Sequence, residues 1–127
     1  DPEFEAVFGS TTFVGEPGYW FASGSTSYIV GDYGEQQVNI QIEGNINVQG
    51  EYAIGDVLWT DVVMSSDFDF YYQGSGDGSA TFTAQGISED GEYVWGEITG
   101  GSVSLTDTVG GGTTTLDGLT EVSWPKF

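Results

Sequence analysis

The chain has 127 residues, which is enough for one domain with a substantial core and too short for a second. Twenty Asp and Glu stand against one Lys, with no Arg and no His, for a formal net charge of −19. Nucleic acids and anionic membrane surfaces are therefore poor partners, since both are bound by neutralising their charge with Lys and Arg.

Acidic excess with few aromatics would indicate disorder, but Phe, Trp and Tyr make up 15% of this chain and its apolar residues alternate in short runs. The sequence therefore predicts a folded domain. Its like charges repel unless salt screens them or cations neutralise them. That points to a saline or calcium-containing medium and a halophilic or marine source. Cysteine is absent, so no disulfide framework or thiolate metal site is available. No stretch approaches eighteen consecutive apolar residues and no signal peptide is evident, so export implies a targeting segment already removed. Asp1-Pro2-Glu3-Phe4 reads either as the remnant of adjoining cloning sites or as the lead-in to a first strand.

In chain order, residues 4–8 and 11–14 flank Gly9-Ser10 as a hairpin. Glu16-Pro17-Gly18 interrupts the pattern, and Tyr19-Trp20-Phe21 opens a further run. In an extended chain these three adjacent rings cannot all face one core, so at least one is exposed. Residues 28–30 form a short strand closed by Gly31-Asp32-Tyr33-Gly34. Val38, Ile40 and Ile42 alternate with Gln37, Asn39 and Gln41 as a half-buried strand. Ile46 and Val48 share a face of the next run, and residues 50–55 form a short extended piece between two glycine turns. Residues 57–64 are mostly apolar. Phe68, Phe70 and Tyr72 face one way from the following run, and Asp67, Asp69 and Tyr71 the other.

Residues 74–107 carry the clearest fold signal. Ala80, Phe82 and Ala84 alternate in one run, Tyr93 and Trp95 oppose Val94 and Ile98 in the next, and Val103 and Leu105 share a face of the third. Gly76-Asp77-Gly78, Ser88-Glu89-Asp90-Gly91 and Gly100-Gly101 punctuate them, which reads as a β-meander with tight turns. Gly110-Gly111-Gly112 then leads to Leu116 and a last strand that ends at Pro125. About ten antiparallel strands result, in a single all-β domain over residues 1–127. The short, irregular runs favour a two-sheet β-sandwich, with an up-and-down β-barrel as the alternative.

Several segments together resemble a group of small secreted or lipid-anchored all-β domains of unknown function common in Bacteroidetes. They are Phe4-x-Ala6-x-x-Gly9 with Phe13, Val38-Asn39-Ile40-Gln41-Ile42, Gly50-Glu51-Tyr52-Ala53-Ile54-Gly55, and Gly96-Glu97-Ile98 before a Thr-rich final hairpin with Gly118. The resemblance implies an exported, cell-surface domain and carries over no catalytic residue. The extreme acidity and the lack of a lipid-acceptor cysteine depart from it.

Without His or Cys, Ser-His and Cys-His dyads are excluded, and composition leaves carboxylate-pair glycoside hydrolysis as the reaction class available. The expectation is a non-enzymatic binding module. Calcium is the inorganic partner that acidic, glycine-containing turns could hold as a structural ion, with Asp67, Asp69, Asp77, Glu89 and Asp90 as candidate ligands. The same residues are also ordinary turn formers. Nineteen aromatics exceed what one core face requires. Tyr19, Trp20, Tyr33, Tyr93 and Trp95 are therefore candidate ligand-binding residues for a lectin-like module, because ring faces pack on sugar C–H groups while nearby carboxylates and amides take the hydroxyls. The same surface could instead serve a protein partner. A structural role is the further alternative, with residues 102–106 and 113–116 as sheet edges open to strand addition by a neighbouring copy.

Overall fold

A computed structural model describes residues 4–33, 36–61 and 70–126, with residues 4, 17, 33 and 120–123 described by backbone alone. Ten strands occur among the described residues: β1 (Phe4–Phe8), β2 (Thr11–Ser23), β3 (Thr26–Tyr33), β4 (Gln36–Glu43), β5 (Gly50–Asp61), β6 (Tyr71–Ser75), β7 (Thr81–Ile87), β8 (Tyr93–Thr99), β9 (Val103–Asp107) and β10 (Thr113–Pro125). All their pairings are antiparallel, and β1 pairs with β10, so the sheet closes on itself.

The fold is an eight-stranded closed β-barrel rather than the expected sandwich. The difference lies in the short runs. β6 and β7 both lie along β5, at Asp56–Thr60 and Gly50–Ala53 respectively, and run in the same direction. β9 and β8 both lie along β10 in the same way. β6–β7 is therefore one wall strand broken in the middle, and β8–β9 is the next. Between the pairs Asp56↔Ser75 and Ala53↔Thr81, Ile54 and Gly55 of β5 lie opposite all of residues 76–80. The surplus residues leave the ladder as a glycine-containing turn. With the halves joined, the wall has up-and-down order, which is the alternative expected from sequence. The β7–β8–β9 meander is corrected accordingly: β7 and β8 form a hairpin, but β9 continues the line of β8 and pairs with β6 and β10.

Three further readings change. Glu16-Pro17-Gly18 does not end a strand; the chain passes through a register shift between Pro17 and Tyr19 and stays in β2. The piece at 50–55 is the first half of β5, with Gly55 buried at a bulge opposite Gln41 rather than in a turn. Ile46 and Val48 lie in the β4–β5 connection; Ile46 is buried at one end of the barrel while Val48 is exposed. Serine and tyrosine hydroxyls hold this connection in place. Ser27 Oγ accepts from Ile46 N–H at 3.0 Å and donates to Gly44 O at 2.6 Å, and Tyr52 Oη donates to Asn45 O at 3.0 Å.

Alternation fills the interior. Val38, Ile40 and Ile42 of β4 point inward opposite Trp59, Val57 and Ile54 of β5, and Phe82 and Val94 meet Ile98 and Trp124 across the β7–β8–β10 wall. At the end away from Ile46, Phe8 stacks on Trp59 with centroids 4.1 Å apart, and Tyr72 stacks on the same indole at 5.3 Å. On β4 the apolar Val38, Ile40 and Ile42 point inward and Gln37, Asn39 and Gln41 outward. Among the described residues no helix is long and apolar enough to cross a membrane.

Candidate functional site

A closed barrel with a filled interior leaves its outer wall and its ends for recognition. On a strand whose inward residues are already apolar, an outward aromatic contributes nothing to the core, so such positions stand out. β8 supplies one group. Val94, Gly96 and Ile98 face inward, which turns Tyr93, Trp95 and Glu97 outward. Tyr93 is 48% exposed. Trp95 is half-buried because its indole lies against the neighbouring strand: a Cβ on Gly86 would come within 3.0 Å of Cζ2 and 3.3 Å of Nε1. A register shift between Ala84 and Gly86 places that glycine opposite Trp95 and sets Gln85 on the outer face. Gln85 Nε2 donates to Glu97 Oε1 at 3.4 Å, while Gln85 Oε1 is buried and has no hydrogen-bond partner among the described residues. A ring, a phenol, an amide and a carboxylate thus share one patch of the β7–β8 hairpin.

A second outward aromatic group sits on β2 and β3. Phe21 stacks on Tyr28, its register partner, at 4.7 Å, and Tyr19 approaches Phe21 at 6.0 Å. Val30, opposite Tyr19 on the same face, is completely buried. These rings contact one another and accompany a buried outer-wall valine. The expectation that at least one ring of Tyr19-Trp20-Phe21 faces outward holds for Tyr19 and Phe21. Sequence reasoning did not select Tyr28, although its two-residue offset from Val30 places it on that face.

The five aromatic candidates therefore separate. Tyr93 and Trp95 come together. Tyr19 belongs to the β2–β3 cluster. Trp20 is corrected from surface to core: it is 3% exposed and pairs with Ile29 inside the barrel, because the β2 register shift turns it inward. Its ring has Lys126 Nζ 5.9 Å from its centroid. The side chain of Tyr33 lies outside what is described.

The acidic turns are built by local hydrogen bonds. Ser79 donates to Asp77 Oδ1 from its hydroxyl at 2.7 Å and its N–H at 3.0 Å, holding that carboxyl below its usual pKa. Ser88 Oγ at 2.6 Å and Glu92 N–H at 3.1 Å do the same for Asp90. Glu89 is exposed in the same turn as Asp90, whereas Asp77 lies in the mid-wall turn between β6 and β7. The candidate metal ligands are thus divided between two turns, and Asp67 and Asp69 fall outside the described residues. No group of three or more His, Cys, Asp or Glu suited to a metal ion occurs among the described residues.

Asp107 was not singled out from sequence. It is 6% exposed and closes the β9–β10 turn, accepting at Oδ1 from Val109 N–H at 2.9 Å and Tyr71 N–H at 3.1 Å. Burial works to raise its pKa, but backbone donors from Val109, Gly110 and Tyr71 outweigh it and the net shift is downward. Its signal in the sequence is an Asp three residues before a glycine run, a turn-capping arrangement.

Of the segments expected as open edges, β9 has β6 on one side and β10 on the other. Residues 113–116 of β10 pair with β9, and the ladder from β10 to β1 starts at Leu116. Comparison of the chain with protein-family models, with curated proteins and with solved structures gave no match.

Proposed function

We propose that this chain is a non-catalytic carbohydrate-binding domain acting outside the cytoplasm, with the outer face of the β7–β8 hairpin as its recognition surface. The observation that carries this reading is the outward placement of Tyr93 and Trp95 beside Gln85 and Glu97. Indole and phenol faces pack against the C–H groups of a pyranose, while the amide and carboxylate take its hydroxyls. The absence of His and Cys supports a binding role over an enzymatic one, and the extreme acidity fits a saline exterior. The reading requires no cofactor.

The test is glycan-array binding of the wild type against Trp95→Ala and Glu97→Gln. Binding to a neutral glycan that falls about tenfold or more in Trp95→Ala, with an unchanged melting curve, supports the reading. Absence of binding to every glycan, or binding indifferent to both substitutions, rejects it.

A further inference from the structure

The outer wall has another feature beyond the 76–80 interruption, toward the opposite end of the barrel from Tyr93. Between β5, β6 and β9, outward side chains enclose a groove of about 500 Å³, within the range of small-ligand sites. Its position follows from the fold. Ile54 and Gly55 are both buried, so β5 changes phase there and Asp56 and Leu58 emerge on the outer face. Tyr71, Gln73 and Ser75 are the outward alternates of β6, whose Tyr72 faces the core, and Thr106 is the outward residue of β9 beside them.

The lining is selective in its chemistry. Among the described residues Asp56 is its one charged group, and Ser75 Oγ donates to Asp56 Oδ1 at 2.5 Å, which fixes the carboxylate at the groove wall. Gln73, Ser75 and Thr106 supply neutral hydrogen-bonding groups, and Tyr71 and Leu58 supply apolar surface. The chain's single Lys is beside Trp20 at the other end of the barrel.

We infer that this groove is a second binding site, separate from the β7–β8 face, whose ligand is a polyhydroxylated ring carrying a primary ammonium group: an amino sugar with a free amine. The ammonium pairs with Asp56 in a charge-assisted hydrogen bond. The hydroxyls meet Gln73, Ser75 and Thr106, and the ring lies against Tyr71 and Leu58. Charge complementarity selects this occupant, since a chain of net charge −19 concentrates cations at its surface and repels carboxylated or sulfated sugars.

The experiment is a titration of ¹⁵N-labelled protein with the β-1,4-linked glucosamine disaccharide and, separately, with its neutral N-acetylated counterpart. Amide shifts centred on Asp56, Tyr71, Gln73, Ser75 and Thr106 are expected with the amine. Affinity should fall about tenfold or more in Asp56→Asn and in about 1 M salt, where charge attraction is screened within about 3 Å. Gln73→Ala, a change at an exposed side chain, should weaken binding independently of the charge. Trp95→Ala should leave these shifts intact, so failure of the β7–β8 reading and failure of this one are distinguishable. The inference is overturned if the groove amides do not respond, if the neutral disaccharide binds as tightly as the amine, or if Asp56→Asn and Gln73→Ala both bind as the wild type does.

Discussion

The barrel has a continuous side, β2–β5, and an interrupted side, β6–β9, and the two reach the same interior by different means. On the continuous side, strands of eight to thirteen residues run the height of the wall and absorb irregularity as single register shifts, at Pro17–Tyr19 and at Gly55. On the interrupted side, two wall strands are each assembled from five- and seven-residue halves. Their surplus residues are expelled as turns where backbones come close enough to need glycine: a Cβ on Gly101 would lie 2.5 Å from the Ser79 carbonyl carbon. The outward aromatics differ in the same way. Those on β2–β3 contact one another, whereas Tyr93 and Trp95 lie on the interrupted side and the groove around Asp56 lies where β6 and β9 of that side meet β5.

If both sides share one closed core, truncating either should cost the same. Ile40→Ala on β4 and Leu105→Ala on β9, both buried to 1% exposure or less, should each lose about 2–5 kcal/mol in urea unfolding. A much smaller loss at Leu105 would mean that the interrupted side is only loosely attached. Gly74→Ala should cost about 1–3 kcal/mol through overpacking, because its Cβ would meet the Ser104 carbonyl oxygen of the paired backbone, 1.9 Å from the ideal position. Gly55→Ala on the continuous side should cost less, since its Cβ would meet only the movable ends of Glu43 and Gln41.

The β9–β10 turn gives a pH-dependent comparison. The folded-state pKa of Asp107 is lowered, so its stabilisation is complete above the unfolded carboxyl pKa of about 3.9 and is lost as pH falls through the lower folded value. Asp107→Asn should therefore be less stable than wild type at pH 6, and the gap should close toward pH 2. The smallest effect concerns the whole surface: added NaCl should raise the melting temperature of wild type, because it screens the repulsion of a −19 chain. Calcium matched in ionic strength and compared with chelator then reports any ion-specific increment.

How much of this was legible in the sequence also divides by side. Strands were legible where period-two alternation is clean, as at Val38-Ile40-Ile42 and Val103-Leu105, but the same alternation at Ile46 and Val48 lies in a connection. Pairing was legible where a tight turn joins neighbours, as at Gly9-Ser10. It was not legible where Gly100-Gly101 joins β8 to β9, because a glycine turn that reverses a chain and one that lets it step sideways and continue have the same composition. That ambiguity turned an eight-stranded barrel into an expected sandwich. The site was half legible: the face shared by Tyr93 and Trp95 followed from alternation. The inward turn of Trp20 did not, because one shifted residue in β2 exchanges inside for outside. The Asp56 groove depends on a bulge and on three strands distant in sequence, which no local pattern encodes.

Under the proposed function, recognition belongs to the interrupted side. The most direct measurement is amide chemical-shift mapping of the ¹⁵N-labelled protein with a neutral glycan selected on the array. The account predicts shifts concentrated at Gln85, Gly86, Tyr93, Trp95 and Glu97, with β2–β4 unmoved. Shifts concentrated instead at Tyr19, Phe21 and Tyr28 would contradict it and transfer recognition to the continuous side.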